Sequence, residues 1–84
     1  MIWRWRVALA AVASNGSALQ FAATPLRADK ELVLAAMAHD GLALVYAAWS
    51  LRANTEVVLA AVANNGAALH FAAEALKADK EVVL

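Results

Sequence analysis

Apolar and polar positions along the chain follow a pattern that returns every 25 residues. A polar residue opens each unit, a long apolar run follows, and a polar residue with a glycine ends the run. Residues 4–28, 29–53 and 54–78 align without a gap on Gly16, Gly41 and Gly66, and residues 79–84 begin a fourth copy. The first and third copies share 15 of 25 residues, and the second and third share 13. This agreement indicates a true tandem repeat.

The first half of each copy predicts a helix that is apolar on all sides. Asp29, Asn54 and Asp79 precede it and suit the N-cap position. Residues 32–37 and their equivalents are apolar around the whole circumference, which is typical of a helix buried on several sides. The glycine of the Asn-Gly or Asp-Gly pair is expected to end this helix in the left-handed conformation.

The second half predicts an amphipathic helix. Leu19, Ala22, Ala23 and Leu26 fall at the i, i+3, i+4 and i+7 positions of one face. The second helices end with Arg27, Arg52 and Lys77. A cation is favourable there because the C-terminal end of a helix dipole is negative. Pro25 is expected to kink or shorten the last turn in the first copy. Helices are therefore predicted near 5–14, 17–27, 30–39, 42–52, 55–64 and 67–77.

The predicted fold is all-α, a short α-solenoid of stacked antiparallel helical hairpins in a single domain over residues 1–84. A solenoid needs polar outer faces on its terminal repeats. Here the ends are apolar: Ile2, Trp3 and Trp5 at one, and Val82, Val83 and Leu84 at the other. Further repeats or a protein partner are therefore expected to cover the ends.

The motif Asp-Lys-Glu-Val-Val-Leu-Ala-Ala-Val, then Asn-Gly, then Ala-Leu-x-Phe-Ala-Ala-x-x-Leu resembles a tandem repeat family described only as a domain of unknown function. That family occurs as long arrays in microbial eukaryotes. The resemblance runs over residues 7–84 and is specific at Leu34, Ala35, Ala36, Gly41, Leu44, Leu51 and their equivalents. It implies a helical repeat and supplies no activity, cofactor or catalytic residue. The departures are the Trp/Arg start, Pro25, and Trp49 where the third copy has Glu74.

Charge and composition disfavour several classes of function. Seven basic and seven acidic residues cancel, which leaves no overall field for nucleic acid. Arg27, Arg52 and Lys77 recur at one position and could form a row of cations that faces phosphates. An acidic or polar residue follows each of them two positions later and offsets this positive field, which disfavours phosphate binding. The chain has no cysteine and two histidines, so the sequence offers no metal site and implies no cofactor.

No catalytic constellation is evident, and the chain is interpreted as a protein without enzymatic activity. His39 and His70 are expected to be solvated side chains, because their equivalents change identity between copies. Those equivalents are Ser14 and Asn64 for His39, and Gln20 and Val45 for His70.

Residues 7–26 carry no charge, as a membrane-spanning helix would. The polar residues 14–17 lie at the centre of this stretch, in phase with the turns of the other copies, so a membrane span is disfavoured. Arg4 and Arg6 before residues 7–13 also resemble a signal peptide. The repeat register runs through that segment and favours a structural interpretation.

The second copy carries the strongest candidate for partner binding. Leu42, Val45 and Trp49 occupy a stripe that is mostly polar in the flanking copies, and exposed apolar clusters mark interaction sites. With Ile2, Trp3 and Trp5 at the N-terminus, they are the predicted partner-binding residues. The function hypothesis is a protein–protein interaction or scaffolding module in a larger assembly. Alternatives are an accessory subunit of a membrane complex that docks through the Trp/Arg N-terminus, a designed or excised solenoid fragment without its own function, and a nucleic-acid binder.

Overall fold

The computed structural model describes residues 2–73, and every regular element in this range is helical. The α helices are α1 (Ile2–Ser14), α2 (Thr24–Arg27), α3 (Lys30–His39), α4 (Trp49–Arg52) and α5 (Thr55–Asn64), and residues 69–73 are α-helical as well. The 3₁₀ helices are η1 (Gly16–Phe21), η2 (Gly41–Tyr46) and η3 (Gly66–Ala68). Residues 2–73 contain no strand, and the prediction of an all-α protein is confirmed.

The long helices α3 and α5 begin at the predicted caps. The Asp29 carboxylate accepts a hydrogen bond from the Leu32 N–H at 3.0 Å, and the Asn54 side chain accepts one from the Val57 N–H at 3.2 Å. Both caps satisfy an N–H group that a helix start leaves without a partner. The two helices cover the predicted ranges 30–39 and 55–64, whereas α1 begins earlier than predicted, at Ile2.

The turn after each long helix is built differently from the prediction. Asn15, Asp40 and Asn65 are extended, with φ between −149° and −152°, and residues 2–73 include no positive φ. Each side chain accepts a hydrogen bond from the N–H group two residues later, at 3.0–3.1 Å. The left-handed glycine predicted here was therefore wrong. One polar residue ends the long helix and also caps the 3₁₀ helix that follows.

The predicted continuous second helix is interrupted in the first two copies. After η1, Ala22 and Ala23 adopt φ of −73° and −61° with ψ of 148° and 152°, and α2 starts at the next residue. Ala47 and Ala48 make the same break between η2 and α4. These are polyproline II angles, which carry no helical hydrogen bonds. Each predicted helix is therefore a 3₁₀ helix joined through an extended pair to a single α turn.

Pro25 does not cause this interruption. The proline lies at the start of α2, after the break, where its missing N–H costs little. The second copy breaks at the same place with Ser50 at the equivalent position. In the third copy, residues 69–73 are α-helical, so Ala72 and Ala73 continue the helix at the position of the break.

The helices pack copy against copy around a shared apolar core. Helix α3 contacts α1 on one side and α5 on the other, and η2 lies between η1 and η3 in the same way. The side chains Leu32, Val33, Ala36 and Met37 of α3 are fully buried as a result. In α5, Leu59 is 64% exposed, so the prediction of burial on several sides holds for the middle copy only.

Candidate partner-binding surfaces

A recurring hydrogen bond joins the first copy to the second and the second copy to the third. The Gly16 N–H donates to Nδ1 of His39 at 3.1 Å, and the Gly41 N–H donates to Oδ1 of Asn64 at 2.7 Å. Asn64 adds a second bond, from its Nδ2 to the Ala38 carbonyl at 3.2 Å. His39 is exposed, as expected of a solvated side chain, and it also accepts the bond between the first two copies, a contact that the sequence did not predict.

The glycines of the first two copies are required for close approach. A Cβ on Gly16 would lie 2.6 Å from the Ala36 carbonyl oxygen, and a Cβ on Gly41 would overlap the Ala61 carbonyl oxygen. Both carbonyls belong to the next copy, so the main chains of neighbouring copies touch at these points. At Gly66, no atom lies within 4 Å of the corresponding position in the part of the chain that the structure describes.

Equivalent positions differ in exposure according to which neighbour is present. We call the surface that a copy turns toward the preceding copy its front face. Val7 is 60% exposed on the first copy's front face, whereas the equivalent Leu32 and Val57 are fully buried. Phe21 is 83% exposed on the same face. Val7 and Phe21 border an apolar groove of about 390 Å³ between α1 and the η1–α2 segment.

The surface that a copy turns toward the following copy is its back face. Leu19 and Leu44 are fully buried there, whereas Leu69 in the third copy is 55% exposed. Leu59 and Gly66 lie on this same surface and are also open. Within residues 2–73, the outer front face and the outer back face therefore expose apolar groups that the inner junctions bury.

A second groove, which we call the Trp49 groove, lies between the first two copies and has a volume of about 270 Å³. The break before α4 shapes it, because the Ala48 N–H donates to the Arg27 carbonyl at 3.1 Å and ties α4 to the end of α2. The side chains of Thr24 and Arg27 line it from the first copy, and those of Val45, Trp49 and Arg52 from the second.

The residues predicted in the middle copy are all exposed, but they do not form one helical stripe. Leu42 and Val45 lie on η2, and Trp49 begins α4 after the break. Val45 and Trp49 share the Trp49 groove, and Leu42 is not among its lining residues. Binding of a partner by these three residues stays a prediction.

The basic residues of this groove were missed as site residues by the sequence reasoning. Arg27 and Arg52 end α2 and α4, as expected of helix-closing cations. Arg52 is also buried at 7% exposure, and its guanidinium lies over the Trp49 ring at 4.1 Å and donates to the Phe71 carbonyl at 3.3 Å. The sequence does contain a sign of the contact between Arg52 and Trp49. The two residues are three positions apart, and this spacing places two side chains on one side of a helix.

The predicted N-terminal residues belong to α1. Trp5 is half-buried, and the structure does not describe the side chains of Ile2 and Trp3. The C-terminal residues Val82, Val83 and Leu84, and with them the predicted end of the third copy, lie outside the described residues.

The described residues hold no cluster of His, Asp or Glu that would suit a metal ion. His70 is exposed and packs edge-on against the Phe71 ring, with 5.7 Å between the ring centroids. None of the helices between residues 2 and 73 combines the length and the apolar character that crossing a membrane requires.

Comparison with known proteins gives a family and no activity. The family described as Domain of unknown function (DUF4116) matches residues 6–52 and again residues 54–84. The first match covers most of the first two copies, and the second covers the third copy and the start of the fourth. No curated protein and no solved structure matches the chain. Since the two matches together span nearly the whole sequence, the chain belongs to this family of domains of unknown function.

Proposed function

We propose that the chain is a segment of an α-solenoid that acts as a non-enzymatic protein–protein interaction or scaffolding module. One observation carries this proposal: residues that face a neighbouring copy are buried inside and exposed at the outer faces. In a stack of repeats, each unit contacts only its neighbours, and the outer units present the same surfaces unfilled. Further repeats or a protein partner fit these surfaces by the contacts that already join the copies.

The Trp49 groove is the second docking surface of this proposal. Trp49 is 57% exposed although it is the largest side-chain type, and its ring stacks on a buried guanidinium. Tryptophan and arginine are enriched among residues that dominate binding energy. The copy already buries Leu44, Ala47 and Leu51 in the core, so its folding does not require burial of Trp49 as well.

The test is the substitution Trp49→Glu, which introduces the residue that the third copy carries as Glu74. A glutamate three residues before Arg52 replaces the ring stacking with a charge pair, so the melting temperature should stay nearly unchanged. Binding to a protein partner isolated with the wild-type chain should weaken by about 2 kcal/mol or more, roughly 30-fold, in isothermal titration calorimetry.

The matched control is Ser50→Glu, which adds the same charge at an exposed neighbour that does not line the groove. This variant should bind like the wild type. A large loss of stability in Trp49→Glu with binding intact would show that Trp49 belongs to the core and would overturn the proposed docking surface.

A further inference from the structure

The Trp49 groove is lined by a basic side chain from each of its two copies. Two of its lining side chains are Arg27 and Arg52, and none of the described lining residues is acidic. Clefts lined by one sign of charge concentrate groups of the opposite sign. Arg52 is engaged with Trp49 and Phe71, so Arg27 is the cation whose surroundings decide what the groove binds.

Arg27 retains hydrogen-bonding capacity. One terminal nitrogen lies 3.4 Å from Oγ1 of Thr24, and its Nε is buried without a hydrogen-bond partner in the described part of the chain. Asp29 is close in sequence, but its carboxylate caps α3 through the Leu32 N–H. A carboxylate can bind a guanidinium through two parallel hydrogen bonds, and here it would bind the terminal nitrogens, because the buried Nε is out of reach of a ligand.

Apolar surface adjoins this guanidinium. Val45 and Trp49 are exposed and line the same groove as Arg27. A ligand that fills the groove therefore meets a cation and an aromatic ring together. An acidic residue beside an apolar residue in an extended peptide matches both features.

We infer that the Trp49 groove binds a short acidic segment of a protein partner. An Asp or Glu carboxylate of that segment pairs with Arg27, and a neighbouring apolar side chain packs on Val45 and Trp49. This inference rests on the proposed docking function and names the chemistry of the partner. A nucleic acid is disfavoured, since the chain balances seven basic with seven acidic residues.

The experiment selects phage-displayed random dodecapeptides against the full chain and titrates the best peptide, made synthetically, by isothermal titration calorimetry. The selected peptides should carry Asp or Glu within two residues of an aliphatic or aromatic residue. Arg27→Gln should weaken binding at least about tenfold, because one charge of the pair is lost. Arg27→Lys keeps the charge without the planar fork, so it should weaken binding less.

A double-mutant cycle assigns the contact. Changing the acidic residue of the peptide to its amide should weaken binding to the wild-type chain about tenfold and leave binding to Arg27→Gln unchanged. Circular dichroism and thermal melting of both Arg27 variants verify their fold, and Ser50→Glu serves again as the surface control.

Three results would overturn the inference. If Trp49→Glu abolishes peptide binding and Arg27→Gln does not, the groove is a docking site but its chemistry is not acidic recognition. If neither substitution matters, the proposed docking function of this groove fails as well. If a twelve-residue oligothymidylate binds in an Arg27-dependent way and the peptides do not, the anion recognised is a phosphate.

Discussion

Three glycines stand at equivalent positions of the repeat, and within residues 2–73 two of them face a neighbouring main chain. Gly16 and Gly41 leave no room for a side chain because a carbonyl of the next copy lies against them. Gly66 has open space around it within the described part of the chain. Close packing therefore requires glycine in the first two copies, whereas contacts among the described residues do not require it in the third.

The first residue-level prediction uses this difference. Gly41→Ala should lower the free energy of unfolding by about 1–3 kcal/mol, because its Cβ forces the second and third copies apart. Gly66→Ala should raise it by about 0.4–1 kcal/mol, since alanine restricts the unfolded chain and has room in the folded one. Urea unfolding followed by circular dichroism measures both. Equal losses in the two variants would contradict the close approach seen at Gly41.

The junction acceptors show what the sequence could and could not predict about single residues. Ser14, His39 and Asn64 differ in type, and a changing position suggested solvent exposure. What these residues share is an atom that can accept a hydrogen bond. His39 and Asn64 use it on the glycine of the preceding copy, a contact across 23 residues that local patterns do not reveal. The caps Asp29 and Asn54 were predicted correctly because their partners lie three residues away.

Among the helices, the interrupted second helix has the clearest consequence for the candidate binding surface. The break before α4 frees the Ala48 N–H for the Arg27 carbonyl and thereby forms the wall of the Trp49 groove. A continuous helix would use that N–H internally. The groove therefore depends on two alanines leaving the helical conformation.

The element-level prediction is that proline is accepted at the break. Ala23 has φ of −61°, follows an extended residue, and is exposed, so Ala23→Pro should be neutral or raise the free energy of unfolding by about 0.4–1 kcal/mol. In a continuous helix from 17 to 27, the same change would cost about 3 kcal/mol. Thermal and urea unfolding distinguish these outcomes.

The matched variant Ala48→Pro has the same backbone angles but loses the hydrogen bond to Arg27. It should therefore be less stable than Ala23→Pro by about 0.5–1.5 kcal/mol. A loss of about 3 kcal/mol in both variants would show that the second helix is continuous in solution.

The break was not predictable from the local sequence. Alanine is the strongest helix former, and the positions of Leu19, Ala22, Ala23 and Leu26 match a helical face. The second copy gains a hydrogen bond to the preceding copy by leaving the helix, so a tertiary contact outweighs local propensity there. In the third copy, residues 69–73 remain helical, and the Phe71 carbonyl accepts a hydrogen bond from the Arg52 side chain of the second copy. The long helices were predictable because their caps and apolar runs agree with their tertiary surroundings.

At the scale of the whole molecule, the outer faces of residues 2–73 expose apolar groups that bear on self-association. The first copy presents Val7 and Phe21, and the third presents Leu59 and Leu69. Exposed apolar clusters mark interaction sites or an aggregation risk.

We predict that the purified chain self-associates at high micromolar concentration through these faces. Sedimentation velocity should show a sedimentation coefficient that rises with concentration. Val7→Lys and Leu59→Lys should each reduce the rise, because a charge at either face opposes its burial. Ala38→Lys is the control, since Ala38 and its equivalents Ala13 and Ala63 are exposed in all three copies. A stable monomer at every concentration would refute this prediction.

The hydrogen bond that the glycine makes at each junction between copies has a direction. This direction limits the symmetry of any assembly whose contacts repeat the junction. The donor is always the glycine of the earlier copy, and the acceptor is the side chain of the later one. For this bond the back face offers the glycine N–H and the front face offers the side-chain acceptor, so two back faces cannot form it with each other. Contacts that repeat the junction are heterologous, so an assembly that has not closed on itself keeps one front face and one back face open. Assembly by this route grows as a filament or closes as a ring, and it excludes a two-fold dimer as its end point.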